Sequence, residues 1–169
     1  SANTHDDILF FTNKGRVFVT KAYELPESSR TSKGQALVNF LQLTNGEIST
    51  AILPLSKKTT AKYLVMATRN GLVKKVSRDE FSKVRKSGMI AISLKGDDEL
   101  KWVNFTNGND DVMLSTEQGQ AIRFKEADTR PMGRGAAGVT GIRLRKTDKV
   151  ISMDVVNSTM DKNNAEVLV

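Results

Sequence analysis

Cysteine is absent, and histidine occurs once, as His5. Without cysteine there are no disulfide staples and no thiolate metal sites. A single imidazole does not make a metal cluster, and His5 reads as a surface polar residue. The lack of cysteine fits a reducing compartment, and a cytoplasmic location is expected. No run of about 18 apolar residues occurs, so no helix is available to cross a membrane. The first residues show no basic region followed by an apolar stretch of the kind that directs secretion. Aromatic residues make up 6% of the chain, and most, such as Phe10, Phe18 and Trp102, sit within apolar strand patterns and read as core. That scarcity argues against single-strand nucleic-acid binding, which uses basic grooves lined with stacking aromatics. Strong helical periodicity is also missing. Ser77-Arg78-Asp79-Glu80 has the form of a capping box, with room for one helical turn.

What is present is a repeat. Ile8-Leu9-Phe10-Phe11-Thr12 is followed by Asn13-Lys14-Gly15 and then Arg16-Val17-Phe18-Val19. Leu64 to Thr68, Arg69-Asn70-Gly71 and Leu72 to Val76 share that grammar, as do Val112 to Thr116, Glu117-Gln118-Gly119 and Gln120 to Phe124. Each is an apolar run ending in Thr, a three-residue turn closed by Gly, and a second β-rich run, which is a hairpin signal. The turn glycines are spaced by 56 and 48 residues. After each hairpin an Arg leads to a Gly and a third strand: Arg30 to Gly34 before Ala36-Leu37-Val38, Arg85 to Gly88 before Met89 to Ile92, and Arg134 to Gly138 before Val139 to Ile142. A polar turn and a fourth strand close each unit, at Ile48 to Ile52, Leu100 to Val103 and Val150 to Met153.

Four short antiparallel strands per unit of about 50 residues predict an all-β chain of propeller blades. The repeats run approximately over 6–55, 62–105 and 110–157, within one domain covering 1–169. Residues 163–169 resemble the first strand of a further repeat. Three blades do not close an ordinary propeller ring, which takes four to eight, so an incomplete ring and a fragment of a larger protein are expected.

The net charge is +7, which favours an anionic partner: DNA, RNA or an acidic membrane. The bland alternative is a solvated basic surface. The charge is patterned, however. Residues 14–33, 69–86 and 120–146 together carry 19 of the 26 Lys and Arg but 6 of the 19 Asp and Glu. In a propeller, equivalent positions of successive blades lie side by side, so these windows would form a basic arc, the footprint of phosphate binding. The candidate phosphate contacts are Arg30, Lys33, Lys74, Lys75, Arg85, Lys86, Arg123, Arg130 and Arg134. Backbone contact to duplex DNA is the expected mode.

Gly133-Arg134-Gly135-Ala136-Ala137-Gly138 has the G-x-G-x-x-G spacing. A dinucleotide site needs a strand before it and a helix after it. Here Pro131 precedes and a β-type run follows, so the stretch reads as a flexible basic loop open to a DNA backbone. No nucleophile and base arrangement stands out, and no catalytic site, cofactor or metal is expected. A protein-interaction propeller is the alternative from another class. The Trp-Asp signature of many such proteins is missing, since Val103 follows Trp102.

Several stretches in one order resemble a known family. They are residues 2–17, Tyr23-Glu24-Leu25-Pro26, Met66 to Lys75, Ile122-Arg123-Phe124-Lys125-Glu126 and Gly138 to Leu144. Together they resemble blades of the C-terminal domain of the DNA gyrase A subunit, with the related topoisomerase IV subunit similar. The resemblance implies a six-bladed β-pinwheel, a propeller variant in which neighbouring blades exchange strands. It implies a non-catalytic module that binds, bends and wraps duplex DNA on a basic perimeter. The implied partners are the gyrase B subunit, together with the remainder of the gyrase A subunit, in an enzyme that introduces negative supercoils with ATP. The catalytic tyrosine and the ATPase site would lie elsewhere in that enzyme. The family's basic motif beginning Gln-Arg-Arg-Gly-Gly is not present; Thr31-Ser32-Lys33-Gly34-Gln35 occupies the equivalent loop. That motif belongs to the first blade of the family, and this chain resembles the blades that follow it.

Overall fold

The structure is a computed structural model and describes residues 6–25, 41–56 and 59–157. The described residues form eleven strands: β1 (Asp7–Thr12), β2 (Arg16–Lys21), β3 (Ser49–Leu55), β4 (Tyr63–Thr68), β5 (Leu72–Ser77), β6 (Met89–Ile90), β7 (Leu100–Thr106), β8 (Asp111–Thr116), β9 (Ala121–Lys125), β10 (Val139–Thr140) and β11 (Val150–Val156). The three expected hairpins are β1–β2, β4–β5 and β8–β9, all antiparallel. Their turns close on Gly15, Gly71 and Gly119 at positive φ. The strand expected at Ala36 to Val38 and the one at 163–169 lie outside the described residues.

Both faces of the middle sheet are buried, which explains the nearly continuous apolar runs. Neighbouring residues of a strand point to opposite faces. Leu64 and Met66 pack toward Leu9, Phe11, Val17, Phe81 and Ile92, and so form the core between the first two sheets. Val65 and Ala67 point the other way, into a core shared with Val112, Leu114, Ile142 and Met153 of the third repeat. Phe11 meets Phe81 edge to face, with ring centroids 5.7 Å apart. Phe10 and Phe18 are buried together with Ile8 and Leu41 on the other face of the first sheet.

The third strands of the second and third repeats do not stay with their own repeats. The sheets run β3-β1-β2-β6 and β7-β4-β5-β10, and the last holds β11-β8-β9 among the described residues. Thus β6, from the second repeat, pairs with β2 of the first through Val17↔Met89 and Arg16↔Ile90. In the same way β10, from the third repeat, pairs with β5 through Val73↔Val139 and Leu72↔Thr140. Assigning Met89 to Ile92 and Val139 to Ile142 to their own blades is therefore corrected, and neighbouring blades exchange a strand.

The exchanged strands are two residues long because the chain then turns onto the previous hairpin. The carbonyl of Gly15 accepts from the N–H of Ala91 (2.8 Å) and of Ile92 (3.1 Å), and Gly71 accepts from Gly141 (2.8 Å) and Ile142 (3.3 Å). A Cβ at Gly15 would lie 2.5 Å from the Ile92 carbonyl oxygen. The turn therefore needs glycine for close approach as well as for its φ.

Strands β3, β7 and β11 neighbour one another in turn, and β6 and β10 lie at the opposite edges of their sheets. The first two blades thus run from an inner strand to a short outer strand supplied by the next repeat. The expected helical turn is present as a 3-10 turn over Arg78–Phe81, but the Ser77 side chain makes no cap hydrogen bond. The N–H of Arg78 is satisfied by the Lys62 carbonyl (3.0 Å) instead, and Phe81 is buried beneath the turn.

Candidate nucleic-acid interface

Two rim loops carry most of the described candidate cations. The first, residues 82–88, leads from a 3-10 turn to β6, and the second, residues 129–138, leads from a 3-10 turn to β10. Each begins in one blade and ends by adding a strand to the blade before it, so it spans the outer edge between two blades.

The first loop is held from below by an aromatic ring. Gly88 sits over Phe18, so close that a Cβ there would lie 2.6 Å from the ring. The Arg16 guanidinium lies 4.6 Å from the centroid of the same ring, donates to the Ser87 carbonyl (2.9 Å) and pairs with Glu47 (2.9 Å). Burial alone would raise the Glu47 carboxyl. Hydrogen bonds from Thr44 and Thr12 and the charge of Arg16 outweigh that and hold it below its usual range.

The second loop is bound throughout. The Met132 N–H donates to the Lys75 carbonyl (2.8 Å), and the Ala136 carbonyl accepts from the Ser93 N–H (3.2 Å). The Ser93 hydroxyl donates to the Gly135 carbonyl at 2.8 Å. The G-x-G-x-x-G stretch is thus tied at several carbonyls, and the expectation of a flexible loop is corrected. It is followed by β10, with no helix to receive a pyrophosphate.

The nine candidate residues fall into distinct groups. Arg30 and Lys33 lie outside the described residues. Lys74 and Lys75 are buried, at 0% and 4% exposure, and do not present their ammonium groups to a phosphate on the surface. Lys74 donates to the carbonyls of Ala91 (2.8 Å), Ala136 (2.9 Å) and Arg134. Lys75 pairs with the buried Glu126 carboxylate at 3.3 Å and lies 4.4 Å from the centroid of the Tyr63 ring. Both are buried because the sheet that carries them is covered on both faces, so neither alternate direction leads to water.

Arg85 and Arg130 are exposed on the two rim loops, and among the described residues neither makes a side-chain hydrogen bond or ion pair. Lys86 is exposed and pairs with Glu24 at 2.7 Å, which holds the Glu24 carboxyl below its usual range. Arg134 approaches Glu80 at 3.4 Å through Nε. These two pairs are equivalent in the repeat: a cation of the incoming loop meets the acid of the receiving blade's 3-10 turn. Arg123 lies on β9 and is held by Asp111 through Nε (2.9 Å) and Nη2 (2.6 Å).

Exposed cations outside the candidate set are Lys14, Lys62 and Lys95, Lys83 on the first rim loop, Lys125 at the end of β9, and Arg143, Arg145, Lys146 and Lys149 around the turn before β11. The sequence signal for several of them is the charge count of the windows. Arg16 falls within the first of those windows, but nothing local marks its role in clasping the Ser87 carbonyl, which depends on a residue 71 positions away.

The chain matches the family described as "DNA gyrase C-terminal domain, beta-propeller" over residues 6–54, 62–107 and 110–157. It is 49% identical over 168 residues to the DNA gyrase A subunit of Staphylococcus epidermidis, covering 99% of this chain and 18% of that protein. It is 51% identical over 154 residues to the DNA gyrase A subunit of Buchnera aphidicola, covering 91% of this chain and 18% of that protein. The chain therefore spans under a fifth of the length of these curated relatives. Among solved structures, the C-terminal domain of DNA topoisomerase IV superposes with a TM-score of 0.82 at 32% identity, over 92% of this chain and 49% of that one. The DNA gyrase A C-terminal domain superposes with a TM-score of 0.71 at 26% identity, over 90% of this chain and 48% of that one. With the family pattern matched in all three repeats and the blades observed, this chain belongs to the DNA gyrase C-terminal domain family of β-propellers.

Proposed function

We propose that this chain is a non-catalytic module of a bacterial type II topoisomerase that binds and bends or wraps duplex DNA through the phosphate backbone. In that reading 1–169 is a β-pinwheel fragment with repeats at 6–55, 62–105 and 110–157, and 163–169 begins a further one. It works with a gyrase B subunit, and with the remainder of a gyrase A subunit, in the bacterial cytoplasm at the nucleoid. The intact enzyme introduces negative supercoils with ATP.

The observation that carries the reading is the recurrence of exposed cations on both rim loops, Arg85 and Lys86 on one and Arg130 on the other. Loops at the outer edge of successive blades suit a duplex passing along the rim, since phosphate contacts fix its path without reading its sequence. The surface contacts are Arg85, Lys86, Arg123, Arg130 and Arg134, with Arg30 and Lys33 assigned on sequence alone. Lys86, Arg123 and Arg134 already have carboxylate neighbours, so phosphate must compete for them, whereas Arg85 and Arg130 are free to bind directly.

Binding of the chain to linear duplex, measured across a salt series with heparin as competitor, tests this. A steep salt dependence and preference for duplex over single strands of equal charge are expected. Reversing Arg85 and Lys86 together to Glu is expected to lower affinity by about tenfold or more and flatten the salt slope by about two. Unchanged affinity and slope in that variant would remove these residues from the interface.

A further inference from the structure

Lys74 stands three residues beyond the turn glycine of the second hairpin, where the first and third repeats carry Phe18 and Ile122. Its side chain is fully buried, and its ammonium donates to three backbone carbonyls. An ammonium has three donors and accepts nothing, so its capacity is used completely. The three acceptors come from two separate segments. Ala91 follows β6, the strand lent to the first blade, while Arg134 and Ala136 belong to the rim loop of the third repeat. Lys74 itself is on β5 of the second blade. One side chain therefore ties the second repeat to the third, beside the strand that the second lends to the first blade.

The loop it holds carries Arg134. The guanidinium of Arg134 pairs with Glu80 at 3.4 Å, and its two Nη groups make no hydrogen bond among the described residues. The carbonyl of the same residue is one of the three that Lys74 binds. Fixing that carbonyl fixes the base of the Arg134 side chain. Ser93, which stands just beyond Ala91, holds Gly135 and Ala136 of the same loop from the first-blade side.

We infer that Lys74 is a positioning residue of the phosphate-binding rim, setting the place of Arg134 where the first and second blades meet rather than touching the nucleic acid itself. This rests on the DNA-binding reading above. It assigns the lysine a role that needs burial. The ammonium cannot reach a surface phosphate, yet its removal frees the loop whose cation can.

The test uses Lys74→Met, which keeps an apolar stem of similar length, together with Arg134→Ala and the double variant. Duplex affinity is read across a salt series, and amide hydrogen exchange is read over 134–138. Lys74→Met is expected to accelerate exchange in that loop by about tenfold or more while distant strands keep their protection. It is expected to weaken binding by about threefold and lower the salt slope by about one, as Arg134→Ala does. The double variant should bind no worse than either single one, whereas combining Lys74→Met with Arg85→Ala should add. A folded Lys74→Met chain with unchanged slope and unchanged loop exchange overturns the inference, as does full additivity with Arg134→Ala. Should Lys74→Met fail to fold, Ser93→Ala loosens the same loop from its other anchor, and the same readouts decide. If the unsubstituted chain binds no duplex, the DNA reading falls, and loop exchange still decides whether Lys74 holds the loop.

Discussion

The first and second blades clasp the loop lent by the next repeat in opposite ways. In the first, the floor is apolar: Phe18 lies under Gly88, and the clasping cation, Arg16, approaches from the partly exposed side to reach the Ser87 carbonyl. In the second, the cation is the floor: Lys74 is fully buried at the equivalent position and binds the Arg134 and Ala136 carbonyls from within. The backbone task is the same, because carbonyls of a loop pressed against a sheet need donors wherever water is excluded. The difference lies in where the donor comes from. A partly exposed arginine over a ring keeps part of its hydration, whereas a buried lysine loses it and is retained through three hydrogen bonds. The first clasp should therefore depend on packing, and the second on protonation.

The largest effect that would break this comparison is expected at Phe18. Replacing it with Ala removes the floor and leaves a cavity, at a cost of about 3–5 kcal/mol, read as a lower urea midpoint at unchanged m-value. A loss below about 1 kcal/mol would mean that Arg16 alone suffices to hold the loop.

An intermediate effect is expected from pH. Burial lowers the Lys74 pKa from its ordinary 10.5 to about 8, with the neighbouring Arg134 charge adding to the shift and Glu80 opposing it. Between those two values the unfolded chain binds more protons than the folded one, so stability rises with pH. Below about pH 8 the penalty of the buried charge is fully present. Denaturation of the unsubstituted chain and of Lys74→Met at a series of pH values should show the former gaining relative to the latter from about pH 8 to 10.5. The difference is bounded by about 1.4 kcal/mol per pH unit for one proton. A parallel pair of curves would mean that the ammonium is not desolvated.

The smallest effect concerns the exposed pair Lys86 and Glu24. Glu24→Gln should leave stability within about 0.5 kcal/mol, while releasing Lys86 from a competing carboxylate and tightening duplex binding by about twofold at low salt. Weaker binding would show that the carboxylate serves to orient Lys86.

Much of the fold was legible because its signals are local. The turn glycines, the apolar alternation and the polar turn before each closing strand each sit within a few residues, and the hairpins formed at those places. Rim cations such as Arg85 and Arg130 were legible for the same reason, through charge concentrated in equivalent windows. The ownership of the third strand was not legible in the residues themselves, and strand exchange was expected only through the family resemblance. Met89 and Ile90 carry an ordinary two-residue β signal, and nothing local distinguishes pairing with β5 from pairing with β2.

Lys74 and Lys75 mark the boundary between what sequence and tertiary structure decide. The amino-acid sequence determined that this stretch is a strand, that it follows a glycine turn, and that adjacent lysines point to opposite faces. On a strand with one open face, one of the two would reach solvent. Here the second blade lies between the first and the third, and the lent loop closes over its outer edge, so both faces are dry. Only that stacking turned one lysine toward three carbonyls and the other toward Glu126, because the burial of a side chain depends on what covers its sheet and not on the residues beside it in the chain.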